Sequence, residues 1–475
     1  MALFDLDSKR RQELLAQTAA ALEHYYLNTA EHDVAPPLDI DHVRSCISTY
    51  AESSNHPDES IIDHVISGLS QYAVHTPHPS YFGLFNPRPA FPGILSDLIT
   101  ATFNPQIAAW SHNPFAYAVE DYLIQEIGKR YGYAQSDGTF CSGGAEANQT
   151  AVLCALNHAF PFYLNSGLRS LEKQPVLYCS AESHHSVAKA ARMCGLGIDA
   201  LRNIPIDQHL RLKPKDLKSQ IEIDIQAGYQ PFMIVATAGT TGPGAIDPLE
   251  EIAEIKEHYN LWMHVDGAFG GALVLHPSGR TILKGLEHSD SVTFDIHKWL
   301  SAPMGTSTFI TKHPDILSST FRITAEYMPK DGKGIDAVDP YTHSIQWSRR
   351  SLGLRMYMSL LFFGWEGYAQ TIEHHMEMGR QLDALLISDG WMIENHTELP
   401  ISCFTDHSFE NQKEAVTFIC DYVNQSGKAW MSQYPIHGEP SLRACITNYS
   451  TTIAEVEGLV VLLNEARHTY LLKHD

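Results

Sequence analysis

From about residue 118 to residue 311, short apolar runs bounded by turn signals alternate with helical stretches, and this alternation constrains the fold most. The runs are PVLYCS (175–180), PFMIVATAG (231–239), LWMHVDGA (261–268), SVTFDIH (291–297) and TSTFIT (306–311). Runs this apolar suit strands covered on both faces, and buried strands separated by helices form a mainly parallel α/β sheet. Val119, Tyr122, Leu123, Ile127 and Tyr131 fall on one face of a helix that precedes the runs.

Composition sets the outer limits. The 475 residues are 44% apolar, enough for a large core. A net charge of −22 repels phosphate backbones and anionic lipid, so neither nucleic acid nor membrane is an expected partner. MALFDLDSKRRQELL is charged throughout, unlike a signal peptide, and no apolar stretch reaches the ~20 residues of a membrane span. Eight scattered Cys without a CxxC pair fit reduced thiols, so a cytoplasmic enzyme is expected, with no metal site.

Around this centre, residues 8–29 read as an amphipathic helix, and 75–117 as a loop-rich stretch carrying seven Pro. A long helical region begins near 348. Beyond about 390, ISCFT, SLRACIT and helices near 411–425 and 453–467 predict a smaller α+β unit.

Five motifs carry chemistry, four of them at or just after predicted strand ends, the edge where open α/β sheets bind ligands. In GTFCSGGAEANQTA (138–151), Gly143 and Gly144 open a helix and expose backbone N–H groups suited to a phosphate; an ordinary loop-to-helix turn is the alternative. SAESHHSVAKAA (180–191) offers flat imidazoles that could stack on a heteroaromatic ring or simply sit at the surface. In HVDGAFGG (264–271), Asp266 ends a strand and needs a cationic partner, such as a protonated pyridine nitrogen, unless it is a cap or metal ligand. In DSVTFDIHKWLSAPMG (290–305), Lys298 follows a buried strand, an odd place for an ammonium and a good one for a Schiff-base lysine. ATAGTTGPGAIDPLEEIA (236–253) gives a strand end, small hydroxyl residues, a Gly/Pro turn and a helix capped by Asp247.

In order and spacing these motifs resemble the group II decarboxylases that depend on pyridoxal 5′-phosphate (PLP), which include aromatic-L-amino-acid, glutamate and histidine decarboxylases. The DIHKW stretch, with Asp266 32 residues before Lys298, carries the resemblance most specifically. It runs from about 75 to 355, and more weakly to the C-terminus through LRACITNYSTT (442–452). The resemblance implies the type I PLP-enzyme fold, a mainly parallel seven-stranded sheet with a smaller C-terminal α+β domain. It divides the chain into an N-terminal arm that packs on a partner subunit (1–80), a large PLP-binding domain (81–358) and the small domain (359–475), in a homodimer.

The resemblance also implies roles. Lys298 holds PLP as a Schiff base, Asp266 pairs with the ring nitrogen, and His184 and Ala268 bracket the ring. Backbone N–H groups of Gly144 and Ala145 hold the phosphate with His297 nearby, and Thr240 lies near the ring substituents. Tyr327, on a polar lid at 324–343 and 22 residues before Arg349, reprotonates Cα, with Tyr341 as its rival. Arg349 or Arg350 lies near the substrate carboxylate or the lid, and Tyr81, Phe82, Ile107 and Trp110 are candidates for the substrate-pocket wall or the core. Two positions depart from the family. Relatives often carry Ser at Ala145, with Ser142 a replacement hydroxyl here, and Asn at Asp295. A carboxylate beside a phosphate dianion must point away, be protonated or pair with a cation. The expected reaction is decarboxylation of an L-amino acid to its primary amine. The apolar wall leans toward an aromatic substrate, although Ala109 stands where aromatic-acid relatives tend to carry a bulky residue. An acidic or other small amino acid, or aminotransferase or aldehyde-synthase chemistry, is the alternative.

Overall fold

The structure is a computed structural model, which describes residues 5–52, 58–323 and 338–474. The N-terminal part forms helices Ser8–Leu27, Ile40–Glu52 and Asp58–Tyr72. Asp7 caps the first by accepting from the Arg10 N–H, yet that helix buries none of its residues, and Leu15, Leu22 and Leu27 are exposed.

The Pro-rich stretch contains a helix that the composition does not suggest, Phe91–Phe103. Pro92 sits in its first turn, where a missing N–H disrupts no intrahelical bond. The next helix, Pro114–Tyr131, is capped by the Asn113 side chain and ends at Gly132, whose φ of 88° only glycine adopts freely. It buries Val119, Leu123, Ile127 and Tyr131, whereas Tyr122 is exposed.

The large sheet has seven strands: β1 (Asp137–Cys141), β2 (Pro175–Ser180), β3 (Leu201–Ile204), β4 (Gln230–Thr237), β5 (Trp262–Asp266), β6 (Ser291–Asp295) and β7 (Ser307–Thr311). Their spatial order is β1-β7-β6-β5-β4-β2-β3. Only β7 runs against its neighbours. Alternate residues feed two cores, so that Ile234 and Ala236 of β4 pack on one face while Met233 and Val235 pack on the other. Double coverage is why these strands read as unbroken apolar runs.

Beyond residue 390 lies a four-stranded antiparallel sheet of β8 (Met392–Ile393), β9 (Ile401–Thr405), β10 (Ser432–Ile436) and β11 (Glu439–Cys445). Helices Gln412–Gln425 and Ile453–His474 cover it, with Phe404, Ile419, Leu442 and Leu459 in a core of its own. The connecting helix, Gly353–Ser388, runs through the expected boundary at 358/359 and breaks helical geometry only at Gly364, with φ at 65°. Among the described residues, no helix is long and apolar enough to cross a membrane.

Candidate active site

Strands β4, β5 and β6 are parallel neighbours in the sheet, and their C-terminal ends set the site. Asp266 is the last residue of β5 and only 4% exposed. It accepts from Asn148 Nδ2 at 2.8 Å and from the Ala268 N–H at 3.2 Å, and among the described residues no cation lies within ion-pair distance. Ala268 is half-buried, and its carbonyl accepts the Asp295 N–H, joining the ends of β5 and β6.

Lys298 lies in the turn after β6, with its Nζ 3.0 Å from Asp295 Oδ2 and 5.4 Å from the Phe85 ring centre. Asp295 therefore pairs with a cation, one of the three outcomes its position requires. Its Oδ1 is buried without a hydrogen-bond partner. The same carboxylate explains Gly144, because a Cβ there would stand 2.8 Å from Asp295 Oδ2. His297 is buried, with Nδ1 2.8 Å from the Thr306 carbonyl and Nε2 3.9 Å from Asp295 Oδ2. Burial holds its pKa below the ordinary imidazole value, and Asp295 opposes that shift.

Gly144 and Ala145 head the helix Gly144–Ala159, where backbone N–H groups lack a carbonyl one turn back. The Ser142 hydroxyl is already engaged, since it donates to Glu146 Oε2 at 2.6 Å. His184 presents an exposed ring, with Nδ1 2.8 Å from the Ser186 hydroxyl. The protein packed around it lowers its pKa, and Asp266 pulls the other way. Thr240 is fully buried, and its hydroxyl accepts the Ala245 N–H at 2.9 Å, which shapes the turn after β4. Asp247 does not cap the following helix. It lies wholly inside the protein, accepting the N–H groups of Leu212 and Thr237, and burial raises its pKa to about 6.

The expected substrate wall divides. Tyr81 stacks on Trp430 with centroids 5.3 Å apart, and Trp110 is half-buried and donates its backbone N–H to Asp339 Oδ1 at 2.8 Å. Phe82 faces the other way, 0% exposed in the core of the small sheet, because its backbone bonds to Trp430 and Cys445 turn it there. Ile107 and Ala109 are also buried. Arg349 is 5% exposed and forms a 2.7 Å ion pair with Glu120, and Arg350 pairs with Asp97, so neither guanidinium is left for a substrate carboxylate. Tyr327 and most of the expected lid lie outside the described residues. Tyr341 is buried, with its ring 4.6 Å from Trp347.

Three residues at the site had not been anticipated. Asn148 follows Gly144 by four residues, hence on the same helix face, but it sits among Glu146, Gln149 and Thr150, so no local signal singles it out. Phe85 stacks on Phe269 at 4.1 Å. Arg443 of β11 has its guanidinium 5.3 Å from the same Phe85 ring. It donates to the carbonyls of Gly83, Thr241 and Gly242, and no carboxylate among the described residues lies within ion-pair distance.

A lysine amine, a buried carboxylate with no counter-cation among the described residues, a flat imidazole and a glycine-opened helix N-terminus thus converge on one sheet edge. This arrangement fits a phosphorylated pyridine aldehyde. Its one tension is Asp295 at the phosphate end, which Lys298 neutralises in the structure.

Comparison with known proteins agrees. The pyridoxal-dependent decarboxylase conserved domain matches residues 41–406. An aromatic-L-amino-acid decarboxylase of Bacillus atrophaeus is 30% identical over 79% of this chain and 78% of its own length. The cysteine sulfinic acid decarboxylase of Homo sapiens is 31% identical over 65% of this chain and 63% of its own. In fold, the chain resembles the crystal structure of Oryza sativa TDC with PLP and tryptamine, with a TM-score of 0.93, 20% identity, and coverage of 99% of this chain and 100% of that one. The chain belongs to the pyridoxal-dependent decarboxylase family and is a PLP-dependent amino-acid decarboxylase.

Proposed function

We propose that this decarboxylase acts on an aromatic L-amino acid and releases the primary amine and CO2. The observation that carries the substrate class is the Phe85 ring, 5.4 Å from the Lys298 amine and stacked on Phe269, an aromatic wall beside the reacting group. Tyr81, stacked on Trp430, and the half-buried Trp110 are the further aromatic candidates for the substrate side chain, and the similarity to the Bacillus atrophaeus enzyme supports the reading. With Arg349 paired to Glu120, Arg443, which has no carboxylate within ion-pair distance among the described residues, is the better candidate for the substrate α-carboxylate.

PLP, when bound, supplies an aldehyde that condenses with amines and a conjugated ring that accepts the electron pair left by departing CO2. The chain does the rest. Lys298 provides the amine of attachment, and Asp266 keeps a proton on the ring nitrogen. His184 and Ala268 bracket the ring, while Thr240 shapes the turn beside it. Gly144 and Ala145 offer N–H groups to the phosphate, with His297 next to them. Tyr327 delivers the proton to Cα. The exposed apolar side chains of the first helices support a homodimer in which the arm (1–80) packs on a second copy, beside the large (81–358) and small (359–475) domains. A cytoplasmic location suits the reduced cysteines.

A second reading, an acidic substrate with Arg443 holding its side chain, is favoured by that buried guanidinium and by the similarity to the human enzyme. The test is the PLP-loaded protein offered aromatic and acidic amino acids, with CO2 and amine both quantified. Aromatic acids should lead in kcat/KM by roughly a hundredfold. A lead for acidic acids would hand the site to the second reading. Tyr327→Phe should divert product toward aldehyde, ammonia and, from O2 in air, hydrogen peroxide. Unaltered amine output at the wild-type rate would remove Tyr327 from its role.

A further inference from the structure

Asn148 is 2% exposed and has all its hydrogen-bonding capacity engaged. The direction of each bond follows from its neighbours. The Asp266 carboxylate only accepts, so the Asn148 NH2 group faces it, while the Trp262 indole donates to Ser291 Oγ at 2.9 Å and that oxygen lies 2.8 Å from His264 Nδ1. His264 is wholly buried, burial lowers its pKa to about 3, and its Nε2 lies 3.0 Å from Asn148 Oδ1 and 3.1 Å from Thr293 Oγ1. Thr293 donates to Asn148 Oδ1 at 2.7 Å. On its other side, the Asn148 NH2 group donates to Asp266 Oδ2 and to Ser186 Oγ, each at 2.8 Å. Ser186 in turn donates to His184 Nδ1. One amide therefore joins the helix with the phosphate-binding N-terminus, the end of β5, the side of β6 and the His184 turn.

We propose that Asn148 is a positioning residue that holds Asp266 and His184 as one unit to receive the pyridine ring. The proposal rests on the cofactor reading above. Asp266 has two donors, Asn148 and the Ala268 N–H, and the Asn148 bond is the shorter. Without it, the ionised carboxylate loses its better partner and is free to turn from the ring nitrogen. The Ser186 branch fixes the His184 ring plane and leaves its hydrogen on Nε2, at the outer edge of the ring.

The test is a double-mutant cycle on cofactor binding. Apo-protein is titrated with PLP and followed by the visible absorbance of the bound form, with thermal melting of each apo-variant as a folding check. Asn148→Ala should raise the PLP Kd by about ten- to a hundredfold in the wild-type background. It should raise it less than about threefold in the Asp266→Asn background, where the ionised partner is gone. Ser186→Ala should cost less, about threefold, and should add to Asp266→Asn because it acts through His184. If Asn148→Ala costs the same factor in both backgrounds, or leaves the Kd unchanged, the positioning role is overturned. Should the alanine variant fail to fold, Asn148→Ser carries the same cycle with one donor retained. Absence of the absorbance in the wild-type protein would overturn the cofactor reading itself, whereas additivity with the absorbance present overturns only the role of Asn148.

Discussion

Two buried carboxylates stand at the ends of neighbouring strands, Asp266 on β5 and Asp295 on β6, and the protein treats them in opposite ways. Asp266 receives hydrogen bonds from Asn148 and the Ala268 backbone but has no cation among the described residues. Asp295 has a cation, Lys298 at 3.0 Å, but one of its oxygens is buried without a hydrogen bond. Buried charge is tolerated only when it is paired or richly hydrogen-bonded. Asp266 is thus prepared for a cation to arrive, while Asp295 depends on the Lys298 amine. The first arrangement favours the ring nitrogen of the cofactor. Under the cofactor reading proposed above, the second places negative charge beside the phosphate.

The comparison can be broken at several points. The largest effect is expected at Lys298: Lys298→Ala should abolish the visible absorbance with PLP and nearly all turnover, since only an amine forms the imine. Retention of both would place the attachment elsewhere. Asp266→Asn should leave the fold intact and lower kcat by roughly a hundred- to a thousandfold. Near wild-type turnover would mean that Asp266 does not face the ring nitrogen. Asp295→Asn should act in the opposite sense, tightening PLP binding by about three- to tenfold, because a charge beside the phosphate is removed and an amide donor gained. Weaker binding in titration would show that the main task of Asp295 is to orient Lys298.

The smallest effect is on stability. The folded-state pKa of His264, about 3, lies below the ordinary 6.5, so its contribution is present above about pH 6.5 and lost as pH falls toward 3. The apo-protein should melt at progressively lower temperature over that window. His264→Gln should flatten the slope by about one proton, with the buried His375 still contributing its own share. An unaltered slope would mean that His264 is not the neutral link to Asn148 and Asp266.

The strands were legible because double burial leaves an unbroken apolar signature, and those at 175–180, 262–266, 291–295 and 307–311 fall within the expected runs. The helix Phe91–Phe103 was not, because proline content reads as loop while Pro92 in a first turn is harmless. Phe82 and Arg349 show a different limit. Sequence left Phe82 open between pocket wall and core, and Arg349 or Arg350 open as the charge near the substrate carboxylate or lid; in the structure the Phe82 ring turns into the core of the small sheet and the Arg349 guanidinium is matched by Glu120, 229 residues away along the chain.

By itself, the sequence determined the mainly parallel sheet and the PLP-decarboxylase family, and it set Asp266 at a strand end and Lys298 just after another, since each is written in a local run or a fixed spacing. Only the tertiary structure decided which charges remain available there. Arg349 is neutralised and Arg443 is not, and Asn148 is a hub instead of one more polar helix residue. The reason is physical: a strand or a turn follows from neighbours in sequence, but the state of a buried charge follows from groups that only folding brings within about 4 Å.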